Sequence, residues 1–189
     1  MTPQKRSTAR SDGKGEGKET GSGGGGRIFT SSNAFNEWLS KQPDNTPSTA
    51  YTVRLSVDYL DIYLYGTKYI ILDLVGSTIT SFGWAQFSGW TNLVGIIITA
   101  SVTTIQDEAF NYCFGLTSII IPASVTSIGR SAFEHCTSLT SVTFQGIFQQ
   151  YLSMGAFDGD LARKYSFENG EGGVGTYTRP SGSNTWTKQ

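Results

Sequence analysis

Apolar positions along this chain recur on two scales. Locally, "YTVRLSV" alternates Tyr51, Val53, Leu55 and Val57 with Thr52, Arg54 and Ser56, the period-two pattern of a half-buried strand. Over longer distances the chain repeats itself. Written in steps of 23 it reads "ITSFGWAQFSGWTNLVGIIITAS" from Ile79, "VTTIQDEAFNYCFGLTSIIIPAS" from Val102 and "VTSIGRSAFEHCTSLTSVTF" from Val125.

Seven apolar columns run through these three copies. They are Ile79, Val102, Val125; Phe82, Ile105, Ile128; Ala109, Ala132, with Ala85 one place off; Phe87, Phe110, Phe133; Leu93, Leu116, Leu139; Ile96, Ile119, Val142; and Ile98, Ile121, Phe144. A degenerate earlier copy sets Tyr69 in the leucine column and Leu72 and Leu74 in the strand columns, with Thr78 inserted. A truncated later copy revives the pair as Ala156 and Phe157 in "LSMGAFDGDLARKY".

Such a period falls in the range of leucine-rich repeats, in which each unit lays one short strand on a shared parallel sheet and returns along the other side. A strand as short as "SIII" cannot bury its apolar side alone. Stacked at about 4.8 Å, its neighbours cover it and complete its hydrogen bonds. The expected fold is an α/β solenoid, a short leucine-rich repeat array with a parallel sheet of very short strands.

At the N-terminal end, "TSSNAFNEWLSKQPDN" predicts a helix. Ser31, Ser32 or Asn33 can cap it, Phe35, Trp38 and Leu39 share one face, and Pro43 stops it. This helix and the strand after it are expected to cap the array. An irregular cap is expected at the other end. There, "GEGGVGTYTRPSGSNTWTKQ" either folds back as an edge hairpin about "PSGSN" or stays a loose tail; the exposed edge of the last repeat favours a partly ordered cap. The resulting organisation is a Gly-rich leader over 1–27, an N-terminal cap over 28–68, the repeats over 69–165 and a C-terminal cap or tail over 166–189.

Composition removes several function classes. Fourteen basic and fifteen acidic residues leave a net charge of -1, so no strong field attracts nucleic acid or anionic lipid. The leader alone is basic, at net +3, and too apolar-poor to fold. No apolar run is long enough to cross a membrane, and the N-terminus lacks the core of an export signal.

Candidate chemistry is sparse. Cys113 and Cys136 share one register, with Trp90 in the same column, and read as buried small hydrophobes, with a disulfide between them as the other reading. His135 beside Cys136 suggests a Cys-His pair, but the cysteine points into the coil and the histidine outward. "DGD" at Asp158 to Asp160 lacks the remainder of a calcium loop and reads as a turn, and "GSGGGG" lacks the ending of a phosphate loop. Tyr63, Tyr65 and Tyr69 interleave with Lys68, one lysine being too few for a phosphate track. No catalytic, metal or cofactor site is expected.

The residues between the inward columns form the exposed face. They are Ile71, Asp73 and Val75; Gly95, Ile97 and Thr99; Ser118, Ile120 and Pro122; and Ser141, Thr143 and Gln145. Ile97 and Ile120 stand out there as apolar residues in a water-facing column. They reflect strand propensity, the centre of a binding or self-association surface, or a surface that another element covers. The return side carries Asp107, Glu108, Asn111, Tyr112, Arg130, Glu134 and His135.

The phrases "CTSLTSVTF", "IIIPASVTSIGRSAF" and "AFNYCFGLTSIIIPASVTSI" resemble the BspA-like leucine-rich repeats of secreted and surface proteins, over about Tyr69 to Tyr165. The flanks "STAYTVRL", "KYIILDLVGSTITSFG" and the closing segment from Gly159 resemble small treponemal members of that family. The resemblance implies a non-catalytic adhesion or protein-binding module displayed at the cell surface or secreted. Its partner would be a protein ligand or host matrix component, or a second copy in a self-assembling scaffold.

Overall fold

The computed structural model describes residues 27–62, 67–147, 152–165 and 173–189. The expected leader lies outside these residues except for Arg27, as do Tyr63, Tyr65 and the segment 166–172. Strand β1 (Arg27–Phe29) leads into helix α1 (Ser32–Ser40). Ser31 caps the helix, its Oγ accepting the Ala34 N–H at 3.4 Å, which satisfies one of the amides that a helix start leaves without a partner. Phe35 and Leu39 are buried, and Trp38 packs half-buried against Phe29 with ring centroids 5.4 Å apart. The helix ends at Lys41, before Pro43.

Strands β2 (Tyr51–Leu55), β3 (Ile70–Asp73) and β5 (Leu93–Ile97) continue from β1 as one parallel four-stranded sheet. Each later coil adds a strand on this side and another on the return. Strands β7 (Ser118–Ile121) and β9 (Ser141–Phe144) pair in parallel, Ile119 opposite Val142 and Ile121 opposite Phe144. On the return side β4 (Ser81–Phe82), β6 (Thr104–Ile105) and β8 (Ser127–Ile128) form a three-stranded parallel sheet in strict 23-residue register. Parallel strands at this spacing fit a repeat, solenoid-like fold.

The core is a set of columns running across the coils. Phe87, Phe110, Phe133 and Phe157 are stacked face to face, with centroids 4.8, 4.9 and 4.7 Å apart in succession. Ile105, Leu116, Ile119, Leu139 and Val142 fill the positions around them, all buried. Backbone bonds tie the returns together, Phe87 N–H donating to Ala109 O and Phe110 N–H to Ala132 O, both at 2.7 Å. Two turns in each return use positive φ, at Ala85, Glu108 and Ser131 and again at Gly89, Tyr112 and His135. Ala85 thus sits in the column of Glu108 and Ser131, which explains why it falls one place off the alanine column.

Two expectations need correction. Ile70, not Tyr69, occupies the leucine column: it lies opposite Leu93 and is fully buried, and the register then shifts so that Ile71 faces Gly95. The extra residue is Val94, a β-bulge in β5. The strands also do not form one continuous sheet, because pairing divides between β5 and β7 into two four-stranded sheets. The division falls on the strand that carries the bulge, and Thr117 N–H still meets Val94 O across it at 3.3 Å.

The second sheet is completed by the end of the chain. After the short helix α2 (Leu161–Tyr165), β10 (Gly175–Thr178) lies antiparallel on β9, and β11 (Thr187–Lys188) lies antiparallel on β10. The C-terminal stretch is therefore a hairpin against the edge strand of the last full coil. Tyr177 and Trp186 are buried beneath it.

Candidate binding surface

The candidate face is built from the residues that alternate with the buried ones in β3, β5, β7 and β9. Strand pairing sets them in rows. One row carries Arg54, Asp73 and Ile97 in the first sheet and Ile120, Thr143 and Thr176 in the second. A second row carries Thr52, Ile71 and Gly95, then Ser118, Ser141 and Thr178.

These positions differ in what they can offer a partner. Ile97 is 48% exposed and Ile120 is 54% exposed, and they flank the seam where the two sheets meet. Ser118 and Gln145 are exposed, and Ile71, Gly95, Thr99, Pro122 and Ser141 are half-buried. The Ile71 side chain leans over Gly95, 3.7 Å from where a Cβ would stand. Thr99 Oγ1 accepts the Ser101 N–H at 3.4 Å. Thr143 is half-buried because β10 covers its strand edge, and its hydroxyl meets the Thr176 hydroxyl at 2.8 Å. Val75 is exposed at the margin.

Asp73 departs from its expected exposure. It is 4% exposed, because Arg54 of the neighbouring strand lies across it, with Nη2 at 2.6 Å and Nε at 2.7 Å from Oδ2. Its other oxygen accepts the Val75 N–H at 2.9 Å. This carboxylate has its hydrogen bonds filled within the fold, so it holds the first sheet together more than it faces a ligand. Arg54 and Thr176 belong to the surface without having been assigned to it, Arg54 because it pairs from a strand outside the repeats and Thr176 because the hairpin pairing is non-local.

The residues that raised chemical questions are taken up by the fold. Both cysteines are free, fully buried thiols. Cys113 Sγ donates to Phe87 O and Cys136 Sγ to Phe110 O, each at 3.1 Å and each one coil back. The neighbouring Cys113 thiol, together with burial, holds the Cys136 thiol well above its ordinary pKa. The His135 ring turns away from the thiol and stacks on Tyr112 with centroids 4.4 Å apart, while its backbone N–H donates to Asp158 Oδ1 at 3.0 Å. Asn111, expected on the return surface, is buried.

The "DGD" turn anchors the C-terminal hairpin. Asp160 Oδ1 accepts the Trp186 N–H at 2.8 Å, and the Trp186 indole N–H donates to Asp158 O at 3.0 Å. Gly159 has φ 79° and passes so close to Asn184 that a Cβ would come within 2.2 Å of its carbonyl oxygen, so glycine is required there. Arg179, buried beside Trp186, donates to the carbonyls of Leu139 at 2.7 Å, Cys136 at 3.1 Å and Ser183 at 3.0 Å. Burial lowers its pKa and the Asp158 carboxylate opposes that shift.

Among the described residues, no helix is long and apolar enough to cross a membrane. No curated protein and no solved structure matches the chain significantly. A family model for the BspA type leucine rich repeat region matches residues 65–171 in six copies. With more than half its length inside that match and the columns stacked as the repeat requires, the chain belongs to the BspA type leucine rich repeat family.

Proposed function

We propose that this chain is a non-catalytic binding module of a surface-displayed or secreted bacterial protein, holding a protein ligand against the outward side of its strands. The observation that carries this reading is the pair Ile97 and Ile120, two exposed branched side chains on either side of the sheet seam with hydroxyl-bearing residues around them. An apolar centre with a polar rim is the composition of a protein-binding patch. The stacked core beneath keeps it rigid, so little ordering entropy is lost on binding. Family membership supports the same reading, because BspA type repeats are typical of adhesion and protein-binding modules at the cell surface.

The test is a binding series on immobilised extracellular-matrix proteins with the Ile97→Ser/Ile120→Ser double variant. The expected result is at least a tenfold loss of affinity with an unchanged melting temperature. Equal binding by the variant removes this face from the interaction. Sedimentation over a concentration range separates a foreign ligand from a second copy: assembly that the same double variant abolishes identifies a self-associating scaffold.

A further inference from the structure

On the return side of the array lies a second, chemically different surface. Ser81, Thr104 and Ser127 stand in register across β4, β6 and β8, each followed by a buried residue, Phe82, Ile105 or Ile128. Alternation along so short a strand turns their hydroxyls to the outside, at the spacing of about 4.8 Å that separates paired strands. Thr104 and Ser127 line an open groove of about 300 Å³ together with Trp84, Gln106, Asp107 and Gly129.

Three features of this groove go beyond a solvated return. Trp84 is 69% exposed, an indole left in water on a chain whose Trp90 and Trp186 are buried. The Gln106 side chain is held in place, its Oε1 accepting the Trp84 N–H at 3.0 Å, which leaves the amide NH2 to donate. Asp107 is held likewise, its Oδ1 accepting the Arg130 N–H at 2.8 Å, which leaves Oδ2 to accept. That carboxylate reaches its position over Gly129, where a Cβ would stand 2.3 Å from Oδ1. A flat apolar ring therefore stands beside an oriented donor, an oriented acceptor and two hydroxyls.

We infer that this groove binds a neutral saccharide, with one face of a sugar ring on the Trp84 indole and its hydroxyls shared among Gln106, Asp107, Thr104 and Ser127. A pyranose offers what the groove lacks: a C–H face for the indole and, around its edge, hydroxyls that both donate and accept. Phosphates and sulfated glycans fit poorly, since no lysine or arginine side chain lines the groove and Asp107 repels anions. A deep apolar ligand fits no better, since the groove is shallow and mostly polar. The site is on the opposite side of the coils from Ile97 and Ile120, so it is independent of the sheet-face reading.

Trp84 supplies its own reporter. The protein is titrated with neutral hexasaccharides of glucose (both linkages), mannose, xylose and N-acetylglucosamine, following tryptophan emission and its quenching by acrylamide, with calorimetry on any that respond. The expected result is a blue shift and protection from quencher with at least one of them. Trp84→Ala should abolish that binding. Asp107→Asn, which keeps an oxygen for the Arg130 amide, should weaken it at least tenfold, and Ile97→Ser/Ile120→Ser should leave it unchanged. The inference is overturned if no sugar protects the indole up to about 10 mM, the edge of measurable affinity. It is also overturned if binding survives in Trp84→Ala, or if only anionic saccharides respond.

Discussion

Phe110 and Phe133 lie 23 residues apart in the chain and face to face in the structure, their ring centroids separated by 4.9 Å and their planes by 4°. Phe87 stacks on the other side of Phe110 at 4.8 Å, so this ring has an aromatic neighbour both above and below. In a repeat array each coil is stabilised chiefly by its neighbours, and such a ring connects three of them. Phe110→Ala is expected to destabilise the protein by about 3–5 kcal/mol, the range for emptying a packed aromatic site. Phe110→Leu, which retains much of the volume, should cost distinctly less. Denaturant unfolding followed by circular dichroism measures both, and equal effects would show that the column is not closely packed.

Glu108 holds φ at 58°, and its neighbours in register, Ala85 and Ser131, are left-handed as well. The recurrence in three successive coils marks the geometry as a property of the turn. A side chain in this region costs about 1–2 kcal/mol, part of which glycine returns through its freer unfolded chain. Among the described residues the Glu108 side chain makes no hydrogen bond that would be lost, and its backbone N–H keeps the bond to Arg130 O at 2.9 Å. Glu108→Gly is therefore expected to stabilise the fold by about 0.5–1 kcal/mol. A raised unfolding midpoint with an unchanged slope supports this account; a lowered one contradicts it.

What could be read in the sequence followed from strict repetition. Columns such as Leu93, Leu116, Leu139 and Ile96, Ile119, Val142 were legible because a fixed step puts like side chains in like surroundings, and all six are buried. Where the step changes, the reading slipped. One extra residue, Val94, moves the leucine column from Tyr69 to Ile70, and no local pattern announces a bulge whose cause is strand pairing. Asp73 was misread as exposed for a related reason. Alternation places it on the outward side, but Arg54, 19 residues earlier, covers it by a pairing that lies outside the repeat. The hydroxyl row of Ser81, Thr104 and Ser127 lies in the period, as do Trp84 and Asp107, but that the two columns border one groove depends on the shape of the return turns, which the period does not encode.

Alkaline pH should weaken the fold through two buried acids. Burial, with a smaller contribution from Tyr165, pushes the Tyr177 phenol up to about 12 from its ordinary value of 10.0. Cys136 is raised well above the ordinary thiol value of 9.0, first by Cys113 and then by burial. In both cases the unfolded chain loses its proton at a lower pH than the folded one. The stability they contribute is thus intact below about pH 9, falls as the unfolded thiol and then the unfolded phenol ionise, and for Tyr177 is lost by about pH 12. Melting temperatures between pH 8 and 12 should decline, and Tyr177→Phe should flatten the part above pH 10. The thiols should react with a thiol reagent only after unfolding.

Arg179 supplies the hydrogen bonds that a further coil would otherwise make. Its guanidinium donates to the carbonyls of Cys136, Leu139 and Ser183, and its backbone N–H donates to Thr140 O at 2.9 Å, so the last full coil ends on a side chain instead of another repeat. The Trp186 ring lies 4.7 Å from the guanidinium carbon and closes the site from outside. Removing the side chain leaves buried acceptors without donors, which costs the desolvation of each. Arg179→Ala is expected to destabilise the protein by about 3 kcal/mol. Arg179→Lys should recover little of this, since a point-like ammonium cannot reach three separated carbonyls as a planar fork does. Hydrogen exchange gives the more specific readout: amides of β9, β10 and β11 should lose protection first, while those of β3 and β5 change little. Uniform loss across all the strands would mean that Arg179 acts on global stability and not on the C-terminal end of the array.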